Sequence, residues 1–178
     1  MKINIKGIKI FKSLIFYDNR GSFKEVYKKK LLPNKNLIFD CVSNSKKNVL
    51  RGLHLQKKNS QAKFLTVIKG KIFDVLVDLR KNSKTFGKYF SIILSDKSSY
   101  SSIYIPEGFA HGFCALEKEN IVYYGCSNYR NKKHEIGIMW NDKNLKIKWP
   151  IKKPILSKKD LSNISFQKYC DKYNLKCN

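Results

Sequence analysis

The sequence predicts an all-β fold, a sandwich or closed barrel with little helix, on two observations. Apolar and polar residues alternate with period two through most of the chain, the signature of half-buried strands. Turn signals interrupt that alternation about every ten residues, the spacing of all-β sandwiches and barrels.

The elements follow in order. Lys2–Phe11, Phe64–Leu79, Phe90–Leu94, Ser102–Ile105, Ile121–Cys126 and Ile136–Trp140 read as strands rich in Ile, Val, Phe and Tyr. Asn19-Arg20-Gly21, Lys69-Gly70-Lys71, Pro106-Glu107-Gly108 and Asn141-Asp142 read as turns. Helical signal is confined to the C-terminal end, where Leu156-Ser157-Lys158-Lys159-Asp160 could open a short helix with Ser157 as N-cap and Asp160 at the third position of a capping box. No repeat, linker or low-complexity block divides the 178 residues, so one domain over 1–178 is expected, its C-terminal tail loosely held.

A formal charge of +24 raises nucleic-acid binding as one reading. The excess is nearly all lysine, however, with Arg20, Arg51, Arg80 and Arg130 the only arginines, and arginine is the residue that forks onto phosphates and guanine edges. The lysines are scattered from Lys2 to Lys176, and no zinc finger, aromatic RNA-binding motif or Arg/Gly tract accompanies them. A solvated lysine surface is the better reading, with the residual consequence that an anionic, diphosphate-bearing substrate would be concentrated near the protein.

Cys41, Cys114, Cys126, Cys170 and Cys177 are odd in number and form no CxxC pair, which argues for free thiols. The N-terminal Met-Lys-Ile-Asn-Ile-Lys-Gly alternates instead of running apolar, so no signal peptide is read there, and no stretch of about 18 apolar residues could span a membrane. The expectation is a cytoplasmic protein.

The histidines are His54, His111 and His134. His54, in Leu50-Arg51-Gly52-Leu53-His54-Leu55-Gln56, falls on a strand and shares a face with Gly52 and Gln56 by alternation. His111 lies in Ile105-Pro106-Glu107-Gly108-Phe109-Ala110-His111-Gly112-Phe113, read as a connection between strands, and His134 in a lysine-rich loop. Metal ligation would need further ligands, but the position two after His54 is Gln56 and no carboxylate follows until Asp74. Two readings stay open on the residues alone: core histidines satisfied by a hydrogen bond, or a general base held by a carboxylate.

Several strings in series carry a resemblance. Arg51-Gly52-Leu53-His54-x-Gln56, Gln61-x-Lys63, Phe73-Asp74-Val75-x-Val77-Asp78-x-Arg80 and Ser83-x-Thr85-Phe86-Gly87 come first. Ile105-Pro106-x-Gly108-Phe109-Ala110-His111-Gly112-Phe113, Gly137-Ile138-x-Trp140-Asn141-Asp142, Trp149-Pro150 and Leu156-Ser157-x-Lys159-Asp160 follow. Together, from about Arg20 to Asp160, they resemble the dTDP-4-dehydrorhamnose 3,5-epimerase family.

The resemblance implies a cupin-like β-barrel or jelly roll, usually a homodimer, that works without metal or cofactor. By position it makes His54 the general base, Asp160 the carboxylate that orients it, Lys63 the partner of the substrate's carbonyl oxygen and Tyr124 the proton donor. Tyr124 lies thirteen residues after His111, the family spacing, and Tyr123 is one out. Arg51, Gln56, His111, Glu135 and Lys159 would contact the nucleotide-diphosphate sugar. Arg20, Phe23 and Glu25 would reach the nucleotide, commonly that of the neighbouring subunit. Asp74 and Asp78 match the family pattern and are assigned structural roles.

The implied chemistry needs these residue types. A hydrogen beside a ketone becomes removable when charge moves onto the carbonyl oxygen; imidazole is a suitable base, and a fixed ammonium stabilises the enolate. Inversion then requires an acid on the opposite face. The chain departs from the family where a Gln-x-Asn-x-x-Ser-like stretch becomes Phe39-Asp40-Cys41-Val42-Ser43-Asn44. A changed rim leaves open a dTDP- or GDP-linked 4-keto-6-deoxy sugar or a heptose, with inversion at carbon 3, carbon 5 or both. Such an activity would serve deoxysugar supply for cell-surface polysaccharide, lipopolysaccharide or capsule. The alternatives are a 3,4-ketoisomerase on a similar barrel and, further off, a basic binding module without catalysis.

Overall fold

The structure is a computed structural model and describes residues 5–177. Its strands are β1 (Lys9–Lys12), β2 (Ile15–Asp18), β3 (Gly21–Lys24), β4 (Phe39–Lys46), β5 (Leu50–Gln56), β6 (Lys63–Lys69), β7 (Lys71–Asp78), β8 (Tyr89–Ser95), β9 (Tyr100–Ile105), β10 (Phe109–Ala115), β11 (Glu119–Cys126) and β12 (Glu135–Gly137). Two short helices, α1 (Lys158–Leu161) and α2 (Phe166–Lys172), lie near the C-terminus. The expected all-β architecture with short C-terminal helices is what the chain adopts.

Two antiparallel five-stranded sheets, ordered β1-β9-β6-β11-β4 and β12-β5-β10-β7-β8, stack as a jelly roll, and β2 pairs only with β3 as a separate hairpin. Alternation assigns the faces. Leu65 and Val67 of β6, Val122 of β11, Ile72 and Leu76 of β7, and Phe109 and Phe113 of β10 meet between the sheets as one buried cluster. The odd-phase residues Phe73, Val75 and Val77 of β7 point the other way, against Ile138, Leu145, Phe166, Tyr169 and Cys170. The second sheet is therefore buried on both faces, and every residue of β10 is buried.

Several sequence expectations are corrected. The strand foreseen at Lys2–Phe11 begins only at Lys9; residues 1–4 lie outside the described residues, and Gly7, at φ 100°, turns the chain just before it. Phe64–Leu79, by contrast, breaks into two strands at the expected Lys69-Gly70-Lys71 turn, where the Gly70 φ of 87° suits a tight hairpin. The region around His111 is a central strand; its glycines and alanines hid a β-propensity that two-sided burial overrides. The C-terminal tail is packed: Tyr169 is fully buried, and Cys170 is disulfide-bonded to Cys177 instead of free, with a Cα–Cα distance of 6.1 Å. The cause is a reversal after α2, where Asn174 adopts φ 50° and Leu175 N–H donates to the Cys170 carbonyl, bringing the chain back on itself. Cys41, Cys114 and Cys126 are free thiols.

One irregularity shapes the site. In the β5–β10 pairing, His111 opposes His54 and Phe113 opposes Arg51, so three steps along β5 match two along β10. This bulge, centred on Gly52 at φ 123°, turns Arg51 to the same side as His54, which strict alternation would forbid. A Cβ on Gly52 would sit 2.5 Å from the Gly112 Cα. Gly52→Ala is therefore expected to destabilise the fold by about 3 kcal/mol, read as a drop in the urea midpoint. An unchanged midpoint would show that the two strands can separate at no cost.

Candidate active site

The core cluster fills one end of the space between the sheets, and the other end is a cavity of about 560 Å³. Its walls are the inward residues of both sheets: Phe39 and Cys41 from β4, Arg51 and His54 from β5, Lys63 from β6, His111 and Phe113 from β10, and Tyr124 and Cys126 from β11. Val49 and Ile155 form a parallel bridge that straps the segment before α1 across the cavity. That strap delivers Ser157 and Asp160.

Ser157 caps α1, accepting from Asp160 N–H at 3.1 Å, and its hydroxyl donates to Asp160 Oδ2 at 2.9 Å. The other carboxylate oxygen, Oδ1, meets His54 Nε2 at 2.5 Å. Capping and orientation of the imidazole are thus done by the two oxygens of one carboxylate. Burial disfavours ionisation of Asp160, but the hydrogen bonds from His54 and Ser157 and the nearby Lys159 outweigh it and hold its pKa below the usual 3.8. A depressed carboxylate pKa stabilises the fold above the unfolded value and loses that contribution as pH falls through the folded one. Thermal melts of the wild type should therefore lose stability below about pH 4, with Asp160→Asn showing a shallower decline from a lower neutral value. Equal slopes for the two proteins would mean that Asp160 is not held ionised.

A second histidine–carboxylate pair lies beside the first: His111 Nε2 is 2.7 Å from Asp74 Oδ1, with both residues buried. Asp74 keeps the structural role the sequence suggests, holding a cavity-lining histidine without lining the cavity itself. Asp78, further along β7, has a structural role too, binding Arg80, Ser83 and Thr85. The His111 ring stands edge-on to Tyr124 at a centroid distance of 6.5 Å.

Tyr124 and Lys63 face the histidines from the opposite sheet, on neighbouring strands. Burial pushes the Tyr124 phenol well above its ordinary value; Asp74 and Cys41 add to the rise, and Ser43 and Arg51 oppose it. Burial also lowers the Lys63 ammonium, against the pull of Cys126, Glu135, Cys41 and Asp74. At the mouth, Glu135 Oε2 holds Lys159 Nζ at 2.7 Å and Arg130 Nη2 at 3.0 Å. Arg51 donates to Ser45 Oγ at 2.9 Å and to the Asn44 carbonyl at 3.1 Å. Four cations thus line one cavity, which suits a diphosphate.

The residues singled out from sequence fall into two places. His54, Lys63, Tyr124, Asp160, Arg51, Gln56, His111, Glu135 and Lys159 line the cavity together. The Gln56 amide, however, is taken up by the Asn59 and Tyr129 carbonyls and the Asn131 N–H, so it clips loops together. Arg20, Phe23 and Glu25 lie away from the cavity: Arg20 pairs with Asp18, Glu25 with Lys28, and Phe23 is 68% exposed. Arg130 lines the cavity and was missed, its loop position leaving no periodic signal. Among the described residues, no group of three His, Cys, Asp or Glu could hold a metal ion, and no helix is long and apolar enough to cross a membrane.

Fold and site define a class of protein: a cupin-like barrel enzyme, its basic cavity placing an imidazole–carboxylate pair opposite a lysine and a tyrosine. Residues 2–168 match the family model for dTDP-4-dehydrorhamnose 3,5-epimerase. A relative of that name from Shigella flexneri is 40% identical over 172 residues, covering 93% of this chain and 94% of the relative. A Bacillus anthracis dTDP-4-dehydrorhamnose 3,5-epimerase solved with TDP and PPi superposes with a TM-score of 0.87 at 40% identity, over 93% of this chain and 98% of that one. A Legionella pneumophila dTDP-6-deoxy-D-glucose-3,5-epimerase in complex with dTDP-4-keto-L-rhamnose gives 0.89 at 35% identity, over 100% and 97%. The chain belongs to the dTDP-4-dehydrorhamnose 3,5-epimerase family, a family of isomerases.

Proposed function

We propose that this chain, acting as one domain, inverts carbons 3 and 5 of a dTDP-linked 4-keto-6-deoxy hexose. The observation that carries the reading is the pairing of His54 with Asp160 on one wall of a cavity whose other wall holds Lys63 and Tyr124. His54 takes the proton beside the ketone, and Asp160 fixes its tautomer and stabilises the imidazolium. Negative charge grows on the carbonyl oxygen beside the Lys63 ammonium. Tyr124 delivers a proton to the opposite face, the ketone re-forms, and a solvent proton restores the phenol. His111, its Nε2 held by Asp74, presents Nδ1 to a sugar hydroxyl. Arg51, Arg130 and Lys159 take the diphosphate, with Glu135 spacing the last two.

A thymidine nucleotide is favoured over GDP because the Bacillus anthracis and Legionella pneumophila relatives are described with TDP and a dTDP-sugar. The β2–β3 hairpin projects exposed Phe16, Tyr17 and Phe23 with Arg20. Such a surface suits burial against a second copy, whose cavity Arg20, Phe23 and Glu25 would complete. We place the enzyme in the cytoplasm, where sugar nucleotides are made, supplying a deoxysugar for cell-surface polysaccharide.

The test is incubation with dTDP- and GDP-linked 4-keto-6-deoxy sugars in D₂O, following the carbon 3 and carbon 5 protons by NMR. Exchange and inversion at both carbons of the dTDP sugar are expected. Exchange at one carbon alone would reduce the activity to a mono-epimerase, and a moved carbonyl would make the protein a 3,4-ketoisomerase. No reaction from folded protein would overturn the reading.

A further inference from the structure

Tyr124 has a partner that does not itself face the substrate. β4 and β11 pair with Cys41 opposite Tyr124 and Ser43 opposite Val122, so Ser43 sits diagonally from Tyr124 on the same sheet face. The Ser43 Oγ lies 3.2 Å from the Tyr124 hydroxyl. Among the described residues it makes the only hydrogen bond to that oxygen. Tyr124 lines the cavity and Ser43 does not.

We propose that Ser43 is a positioning residue for proton delivery: its hydroxyl holds the Tyr124 oxygen on the inverting face and stabilises the phenolate left after the proton has gone. The inference rests on the reading of Tyr124 as the proton donor.

The electrostatics around the phenol make the need clear. Burial opposes phenolate, and Asp74 from β7 and Cys41 from β4 oppose it further. The buried His111 ring from β10 stands edge-on to it. Ser43 and, more weakly, Arg51 from β5 favour the charged form, and Arg51 is tied to Ser45 and the Asn44 carbonyl. A hydrogen bond to a developing anion is stronger than one to a neutral phenol, so it lowers the barrier to proton release more than it stabilises the resting enzyme.

This role has a signature that a packing role lacks. Once His54 has formed the enolate, two routes back to ketone compete. His54, its proton exchanged with solvent, can return a deuteron to the original face, giving deuterated but uninverted sugar. Tyr124 can deliver a deuteron to the other face, giving inverted sugar. Ser43 acts on the second route alone.

The experiment measures inverted against uninverted deuterated sugar in D₂O for wild type, Ser43→Ala, Ser43→Thr and Tyr124→Phe, using a dTDP-linked 4-keto-6-deoxy sugar. Ser43→Ala should lower the ratio about tenfold, with total exchange and melting temperature little changed. Ser43→Thr, which keeps the hydroxyl, should restore the ratio, and Tyr124→Phe should lower it further. Ser43→Ala at the wild-type ratio beside a lowered Tyr124→Phe overturns the inference and leaves Tyr124 as donor. Exchange and inversion falling in parallel in Ser43→Ala, with a lower melting temperature, also overturn it by showing a packing role. A wild-type ratio in Tyr124→Phe removes the donor role itself, and this inference with it.

Discussion

Replacing His54 with alanine is expected to lower both solvent exchange and inversion by on the order of 10³. Both outcomes begin with the same proton removal, so losing the base suppresses them together. That separates this variant from Tyr124→Phe, in which exchange persists. Asp160 Oδ1 would also lose its partner in a largely buried setting. The expected cost is about 1–2 kcal/mol, a fall of about 2–8 °C in melting temperature for a chain of this size. Quenched NMR time courses and thermal melts check the two effects separately. A His54→Ala protein that still exchanges within fivefold of wild type would remove His54 from the mechanism, whatever its stability.

Lys63→Met should lower kcat by about 10²–10³, the loss typical when one preorganised charge is withdrawn from a developing oxyanion. KM should change less, because the neutral ketone gains less from the ammonium than the enolate does. Stability should move the other way. Lys63 is half-buried and desolvation holds its pKa below the ordinary 10.5, so the fold carries the charge at a cost. For a lysine with a depressed pKa, the unfolded chain binds more protons between the folded value and 10.5. Wild-type stability should therefore rise with pH across that window, and the cost is fully present below it. Lys63→Met removes the cost, and the variant should melt at or above the wild-type temperature at neutral pH.

The same shift orders the alkaline limb of the activity profile. Lys63 loses its proton below 10.5, and Tyr124 loses its proton well above its ordinary 10.0 because burial raises it strongly. The first alkaline loss of rate should thus belong to Lys63 and disappear from the residual activity of Lys63→Met. Parallel losses of stability and kcat would instead point to a packing role for the side chain.

Most of the barrel was legible because burial on one face writes itself into sequence with period two. The runs around Phe64–Leu79, Phe90–Leu94 and Ile121–Cys126 became strands within a few residues of their expected ends. β10 was not legible, since a strand buried on both faces has no polar phase and its small residues mimic a loop. The Cys170–Cys177 bond was not legible either, because Cys count and spacing say nothing of the reversal at Asn174 that brings the two together.

The sequence by itself determined the all-β architecture and the family, because alternation and a series of motifs are properties of the chain read in one dimension. It also marked Ser157 and Asp160 as a helix cap, since capping is a contact between near neighbours. What only the tertiary structure decided is which distant groups share a volume. The strap before α1 set Asp160 beside His54, 106 residues away in sequence, and strand pairing set Asp74 beside His111. A bulge at Gly52 overrode alternation to turn Arg51 inward. Register placed Ser43 diagonally from Tyr124, and the hairpin carried Arg20, Phe23 and Glu25 out of this chain's own cavity. The physical reason is common to all of these: side-chain direction follows local backbone geometry, but contact across a barrel follows from closure of the sheets, which no local pattern encodes.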